Sequence, residues 1–435
     1  MRKGLLIGAV LSATAVSLAT NGDNLIGLTP ASRAMGGIGV GLPVGPVDSI
    51  FRNPAWMGLM EKKFTVQFGG ILFMPKVKGR SKGFIQNTAG GAISPYDTGY
   101  VKSRSDLFLV PEIGIVHRIS DRLTFGIGAF GVSGMGVDYR DKNPGLSQMH
   151  TTFQFMRIIP AVAFKVNEMI TVSFAPHLAW GSLDMGARLC ADTDGNGVPE
   201  LDKCWNASGG QSQTIGIGFQ VGASVNFGDF VYAGITYQSP VSMKYKNVFD
   251  SDNQMIDPNN IYEDLKLTQP QEVAVGVGVA PLNNLRVGID IRWINWGDAD
   301  GYEHFGWKDQ WVFALGGEFK PTDRLSLRAG WNYGKTPIRG GDKSTAPPGN
   351  IPNLAAPFSE FQKAWFNLVG FPAIAEHHLT IGVGYRFTET FSVDLSYVRA
   401  FEKKVEACAA GTSCQVLAGA KMYQDSISLG LNWEF

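Results

Sequence analysis

From Lys62 onward, apolar and polar residues alternate with a period of two. In the run from Leu285 to Trp293, one face carries Leu285, Val287, Ile289, Ile291 and Trp293; the other carries Arg286, Gly288, Asp290 and Arg292. Such a strand sets one face in an apolar medium and the other in water. The contrast recurs at Leu325 to Tyr333, Leu379 to Phe387, Phe391 to Tyr397 and Ile427 to Phe435. It predicts fourteen strands, over 62–73, 105–119, 122–135, 152–166, 170–185, 211–227, 229–246, 268–280, 285–298, 309–320, 324–336, 377–388, 390–403 and 421–435.

Short turn signals at Ser120 to Arg122, Asn167-Glu168, Gly228-Asp229, Pro281 to Asn284, Pro321 to Asp323 and Thr388 to Thr390 join alternate pairs of strands. The other connections, around 75–104, 136–151, 186–210, 247–268, 299–308, 337–376 and 404–420, are long and polar. Tight turns alternating with long loops, on an even number of strands, predict an all-β fold: an antiparallel outer-membrane β-barrel with its loops outside the cell. A soluble sandwich would put its polar faces outward and needs no such alternation. The last strand ends on Phe435, which suits recognition by barrel assembly machinery. Trp180, Trp296, Trp307, Trp311, Tyr333, Tyr423 and Trp433 suit aromatic girdles at the membrane interfaces.

Composition agrees with export to the outer membrane. Charged residues make up only 17% of the 435, and 38 Lys+Arg balance 38 Asp+Glu, which leaves no electrostatic footprint for nucleic acid. Arg2 and Lys3 precede an apolar, small-residue run, so residues 1–19 read as a signal peptide cleaved after Ala19. No later apolar run is long enough for a membrane-spanning helix.

Residues 20–61 lack the alternation and are rich in Gly and Pro. A fourteen-strand barrel leaves an internal channel, and this segment is available to fill it as a hatch. Its glycines match no nucleotide-binding fingerprint. The third strand carries Gly126, Gly128, Gly131 and Gly134, and its alternation fails at Phe130 and Val132. Glycine inside a strand marks a bulge, bend or close approach, so this stretch is the expected site of a lateral opening in the wall. Pro160, in the fourth strand, removes a ladder donor nearby.

The run Arg33-Ala34-Met35-Gly36-Gly37, the triplet Asn53-Pro54-Ala55, the segments Pro160 to Lys165 and Glu376 to Phe387, and the strand count together resemble the FadL/TodX family. These are outer-membrane transporters for long-chain fatty acids and other hydrophobic compounds. The resemblance implies a hatch holding Arg33, Met35, Gly36, Gly37, Asn53, Pro54 and Ala55, and lateral release at a third-strand kink. The expected function is passive transport of a hydrophobic small molecule by a monomer in contact with outer-membrane lipid. A diffusion porin for polar solutes and a surface adhesin or receptor are the alternatives.

Cys190 with Cys204 and Cys408 with Cys414 are expected to form local disulfides in external loops. Asp192, Asp194 and Asn196 open a calcium-loop pattern, but Lys203 stands where a bidentate Glu belongs, so Glu200 or Asp202 would have to substitute. No other cofactor is expected. Phe361, Trp365, Phe366 and Leu368, in an external segment, form a candidate capture site or a lid on the barrel mouth. By parity, Glu272, Arg286, Asp290, Arg292, Glu318, Arg328, Arg386 and Asp394 face inward, as do Arg157 and His177; such charges pair with one another or hold the hatch. Arg157 and Arg386 are the candidates to receive a carboxylate headgroup. The six histidines stand without a Gly-x-Ser-x-Gly elbow or a His-Glu-x-x-His run, so no enzymatic activity is expected.

Overall fold

The computed structural model describes residues 20–248, 264–338 and 360–435. The signal peptide over 1–19 lies outside the described residues. Fourteen long strands build the wall: β1 (Phe64–Ile85), β2 (Phe108–Arg118), β3 (Leu123–Asp138), β4 (His150–Lys165), β5 (Ile170–Cys190), β6 (Ser212–Phe227), β7 (Val231–Gln238), β8 (Glu272–Leu282), β9 (Leu285–Ile294), β10 (Gln310–Phe319), β11 (Leu325–Gly334), β12 (His377–Arg386), β13 (Phe391–Cys408) and β14 (Leu417–Glu434). Each pairs antiparallel with its neighbours, and β14 closes on β1 with Trp433 opposite Val66 and Leu417 opposite Lys82. Closure removes the free edges that a membrane would leave without hydrogen-bond partners.

The alternation resolves as the sequence predicts. Ile289, Ile381 and Leu429 are exposed on the outer face, while their neighbours Asp290, Thr380 and Ser428 are buried in the lumen. Inward charges pair across the strands: Arg286 with Glu318 at 2.6 Å, Arg328 with Glu318 at 2.8 Å and with Asp394, and Arg292 with Glu272 at 3.5 Å.

Several strands differ from the expectation at their outer ends. β1 runs to Ile85 through Lys76, Lys78 and Arg80, where a loop was expected from residue 75. β14 starts at Leu417, and the two stay in register along this length. Above the acyl layer both surroundings are polar, so the hydrophobic alternation fades while the backbone ladder continues. The seventh strand is shorter than the expected 229–246, because Pro240, two residues beyond Gln238, cannot donate to a ladder. Beyond it, Val241, Met243 and Tyr245 turn inward and are buried. Trp296 and Trp307 were assigned to a girdle and are instead fully buried inside the outer mouth; Trp311 is exposed as expected.

Candidate functional site

The N-terminal segment fills the lumen. Two short helices, α1 (Pro30–Ala34) and α2 (Pro46–Arg52), each begin with a proline at the first turn; Thr29 caps α1 by accepting the Ser32 N–H. Arg33, Met35, Gly36, Gly37, Asn53, Pro54 and Ala55 are all buried. Arg33 donates to the Gly27 carbonyl and, at 2.6 Å, to Ser426 Oγ on β14. Asn53 donates to the carbonyls of Val40 and of Ala223 on β6, and its Oδ1 accepts the Ala55 N–H. Thr380 on β12 bonds both Ala34 and Gly36. Gly37 has φ +80°, and a Cβ there would lie 1.7 Å from the Ile26 carbonyl oxygen, so only glycine fits.

The wall has two features matched to this segment. Gly278, Gly288, Gly316 and Gly330 oppose one another in register across β8 to β11. A Cβ on any of them would come within 2.1 to 3.0 Å of Leu42, Met35 or Gly36. Beside this flat row, the Asp290 carboxylate accepts three consecutive backbone N–H groups, Gly39 at 2.7 Å, Val40 at 2.8 Å and Gly41 at 2.9 Å. These charge-assisted bonds fix the segment against β9.

Strand β3 kinks inward where the glycines predict it. Burial alternates up to Ala129, then every residue from Phe130 to Val137 is buried. The β2–β3 ladder stops at Glu112 opposite Phe130, and the β3–β4 register shifts between Gly131 and Ser133. The kinked backbone instead meets the N-terminal segment: Gly134 N–H donates to the Asp23 carbonyl, and Ser133 pairs with Asn24. Gly128 gives room to the Phe130 ring, which would lie 2.3 Å from a Cβ there, and Gly126 gives room to Met57. The β4–β5 ladder also skips Ile159 to Ala161, where register sets Pro160 against Pro176.

At the outer mouth, Trp296, Tyr302 and Trp307 pack with ring centroids 4.7 to 5.0 Å apart. Tyr302 donates to the Asp23 carboxylate, which joins the mouth to the same residue that holds the β3 kink. The segment expected to capture substrate forms helix α3 (Glu360–Trp365) followed by a wide turn. Phe361 and Trp365 are half-buried, whereas Phe366 and Leu368 are buried, with Phe366 stacked 5.4 Å from Phe305. Asn367 locks this packing by accepting from Trp307 Nε1 at 2.9 Å and donating to the Phe305 carbonyl.

Arg157 stands opposite Phe130 in the β3–β4 ladder. It donates to Gln238 at 2.6 Å and lies beside His177, and among the described residues no carboxylate comes within ion-pair distance of it. Arg386 is exposed near the periplasmic turn at Arg324, well away from Arg157. Cys190 is bonded to Cys204 and Cys408 to Cys414. In the loop between the first pair, carboxylate oxygens of Asp192, Asp194 and Glu200 lie within 4.8 Å of one another. In the same loop the Asn196 amide donates to Gln86 Oε1 at 3.0 Å, and its oxygen accepts the Val198 N–H at 2.8 Å. The Gly90 N–H, with Gln86 and Asn196, holds the Asp194 carboxyl below its usual range.

A model of the family described as outer membrane protein transport protein (OMPP1/FadL/TodX) matches residues 8–350. The chain belongs to this family. Outer membrane protein P1 of Haemophilus influenzae is 22% identical, over 91% of this chain and 90% of its own length. The crystal structure of a FadL homologue from Pseudomonas aeruginosa aligns with a TM-score of 0.73 at 18% identity, covering 95% of this chain and 100% of that one. The toluene transporter TbuX of Ralstonia pickettii gives 0.64 at 18% identity, covering 94% and 98%. As a member of the family, the protein is an outer-membrane transport channel and not an enzyme.

Sequence reasoning placed Asp290 inward but missed the glycine row, the Gly39 to Gly41 partners of Asp290 and the Asp23–Tyr302 link. The glycines do stand at inward positions of neighbouring strands, which is a legible signal once registers are known. The other two join residues hundreds of positions apart and leave no local signature.

Proposed function

We propose that the protein carries hydrophobic small molecules passively across the outer membrane, with the N-terminal segment as hatch and the β3 kink as a lateral exit. The observation that carries this reading is the break between β2 and β3, where β3 leaves its neighbour and is held by Asp23 and Asn24. Substrate enters at the outer mouth, where Phe361 and Trp365 remain partly accessible. Because Asp23 touches both Tyr302 and Gly134, displacement of the mouth aromatics is transmitted to the kink. Arg157, a buried cation beside Phe130, is the group able to receive a carboxylate headgroup. A side exit keeps an acyl chain out of water, avoiding a cost of about 0.8 kcal/mol per CH₂.

The test is uptake of radiolabelled oleate, toluene and a small sugar in cells lacking their own transporters, with the intact protein and with residues 20–55 deleted. Uptake of a hydrophobe but not of the sugar, abolished or deregulated by the deletion, is expected. Sugar permeation through the intact protein without hydrophobe uptake would make it a diffusion porin.

A further inference from the structure

The outer wall carries a feature that transport does not use. Lys404 on β13 lies directly opposite Lys421 on β14, Lys421 opposite Lys78 on β1, and Lys78 opposite Lys102 on the short strand Val101–Lys102. Adjacent strands are about 4.8 Å apart, so four ammonium groups stand in one row roughly 15 Å long. The row faces outward, because Lys78 shares the parity of exposed Leu72, and Lys421 that of exposed Ile427 and Leu429. Like charges directly opposite one another oppose sheet formation, so the arrangement calls for an anion.

The chain supplies only part of one. Lys102 reaches Asp106 at 2.6 Å, Lys404 reaches Glu406 at 2.9 Å and Lys421 reaches Glu402 at 3.3 Å. Lys78, inside the row, has no ion-pair partner among the described residues. Exposed pairs of this kind are weak and readily exchanged for a better anion.

The height of the row identifies that anion. Tyr423 stands on the same face two residues below Lys421, with Arg399 over its ring at 4.4 Å, and the exposed apolar belt begins at Ile427. Aromatic residues of this kind mark the membrane interface. The lysines therefore lie one outward position above the Tyr423 ring and three above Ile427, about 20 Å along the strand, in the headgroup layer of the outer leaflet that the Tyr423 ring borders. We propose that this row on β13, β14 and β1 binds the phosphate groups of a phosphorylated outer-leaflet glycolipid of the lipid A type, whose acyl chains lie along Ile427, Leu429 and Leu72.

The experiment uses the purified full-length protein, freed of lipid in detergent and titrated with bisphosphorylated lipid A, with binding read by native mass spectrometry and thermal stability measured in parallel. Changing Lys78→Ala, Lys404→Ala and Lys421→Ala together is expected to weaken binding roughly 100-fold, about fivefold per lysine. The triple variant should unfold at the same or a higher temperature than the parent without lipid A, and should lose the stabilisation lipid A gives. The corresponding triple Lys→Arg variant should keep binding. Equal lipid A binding by the alanine variant, or equal binding of dephosphorylated lipid A by the parent, would overturn the proposal. Inorganic phosphate alone reproducing the stabilisation would assign the row to a soluble anion and overturn the lipid assignment.

Discussion

Replacing Asp290→Ala tests whether the N-terminal segment is seated as a hatch. The carboxylate accepts three N–H groups at 2.7 to 2.9 Å inside the lumen. Each buried donor left without a partner costs about 1–3 kcal/mol. The three share one acceptor group and do not add fully, so the loss is about 3–5 kcal/mol. At about 1.4 kcal/mol per tenfold, the ratio of seated to unseated segment falls by roughly a thousandfold. The wall itself should hold, because the backbone pairing of β9 with Gly276 and Ala314 does not involve this side chain. Asp290→Asn keeps one oxygen for two of the donors and should fall between parent and Ala. The assay is ion conductance in planar bilayers, together with hydrogen exchange over residues 36–44. Frequent openings and faster exchange are expected, with unchanged barrel melting. Conductance and exchange equal to the parent would refute the argument that Asp290 seats the segment.

Gly330→Ala should have a related effect by a steric route. Its Cβ would fall 2.3 Å from the Gly36 nitrogen, a backbone atom that cannot rotate away. Overpacking of this kind costs about 1–3 kcal/mol, while the strand gains about 0.5–1 kcal/mol from losing a glycine, so conductance should rise with barrel melting unchanged or raised. Arg157→Gln should lower oleate uptake by an order of magnitude or more and leave toluene uptake near the parent's, as competition assays would read; equal loss of both would show a structural role. Removing the Cys190–Cys204 disulfide, which closes a separation of 14 residues, should destabilise that loop by about 3 kcal/mol. Faster proteolysis between 191 and 203 is expected, with uptake unaffected.

The sequence alone determined the barrel. A lipid-facing strand must show apolar residues on alternate positions, and a tight turn must show Gly, Pro, Asn or Asp, so Leu285 to Trp293 and its relatives announce both the element and its orientation. Arg33 to Gly37 and Asn53 to Ala55 were legible because they resemble a known family, and Phe130 and Val132 because they break a local period. The outer ends of β1 and β14 were not legible, since with polar surroundings on both faces Lys76 to Lys82 need no apolar partner positions.

Tertiary structure decided what the lumen holds and how. Asp290 looks like any inward charge until Gly39 to Gly41 arrive from 250 positions away. Gly278, Gly288, Gly316 and Gly330 become a flat seat only when four registers align. Trp296 and Trp307 have girdle composition, yet they pack inside the mouth because the loop that carries them folds over Gly22 and against Asn367. Periodicity reports which medium a side chain faces. It carries no information about which distant segment shares that medium, because closing the chain into a barrel sets those contacts.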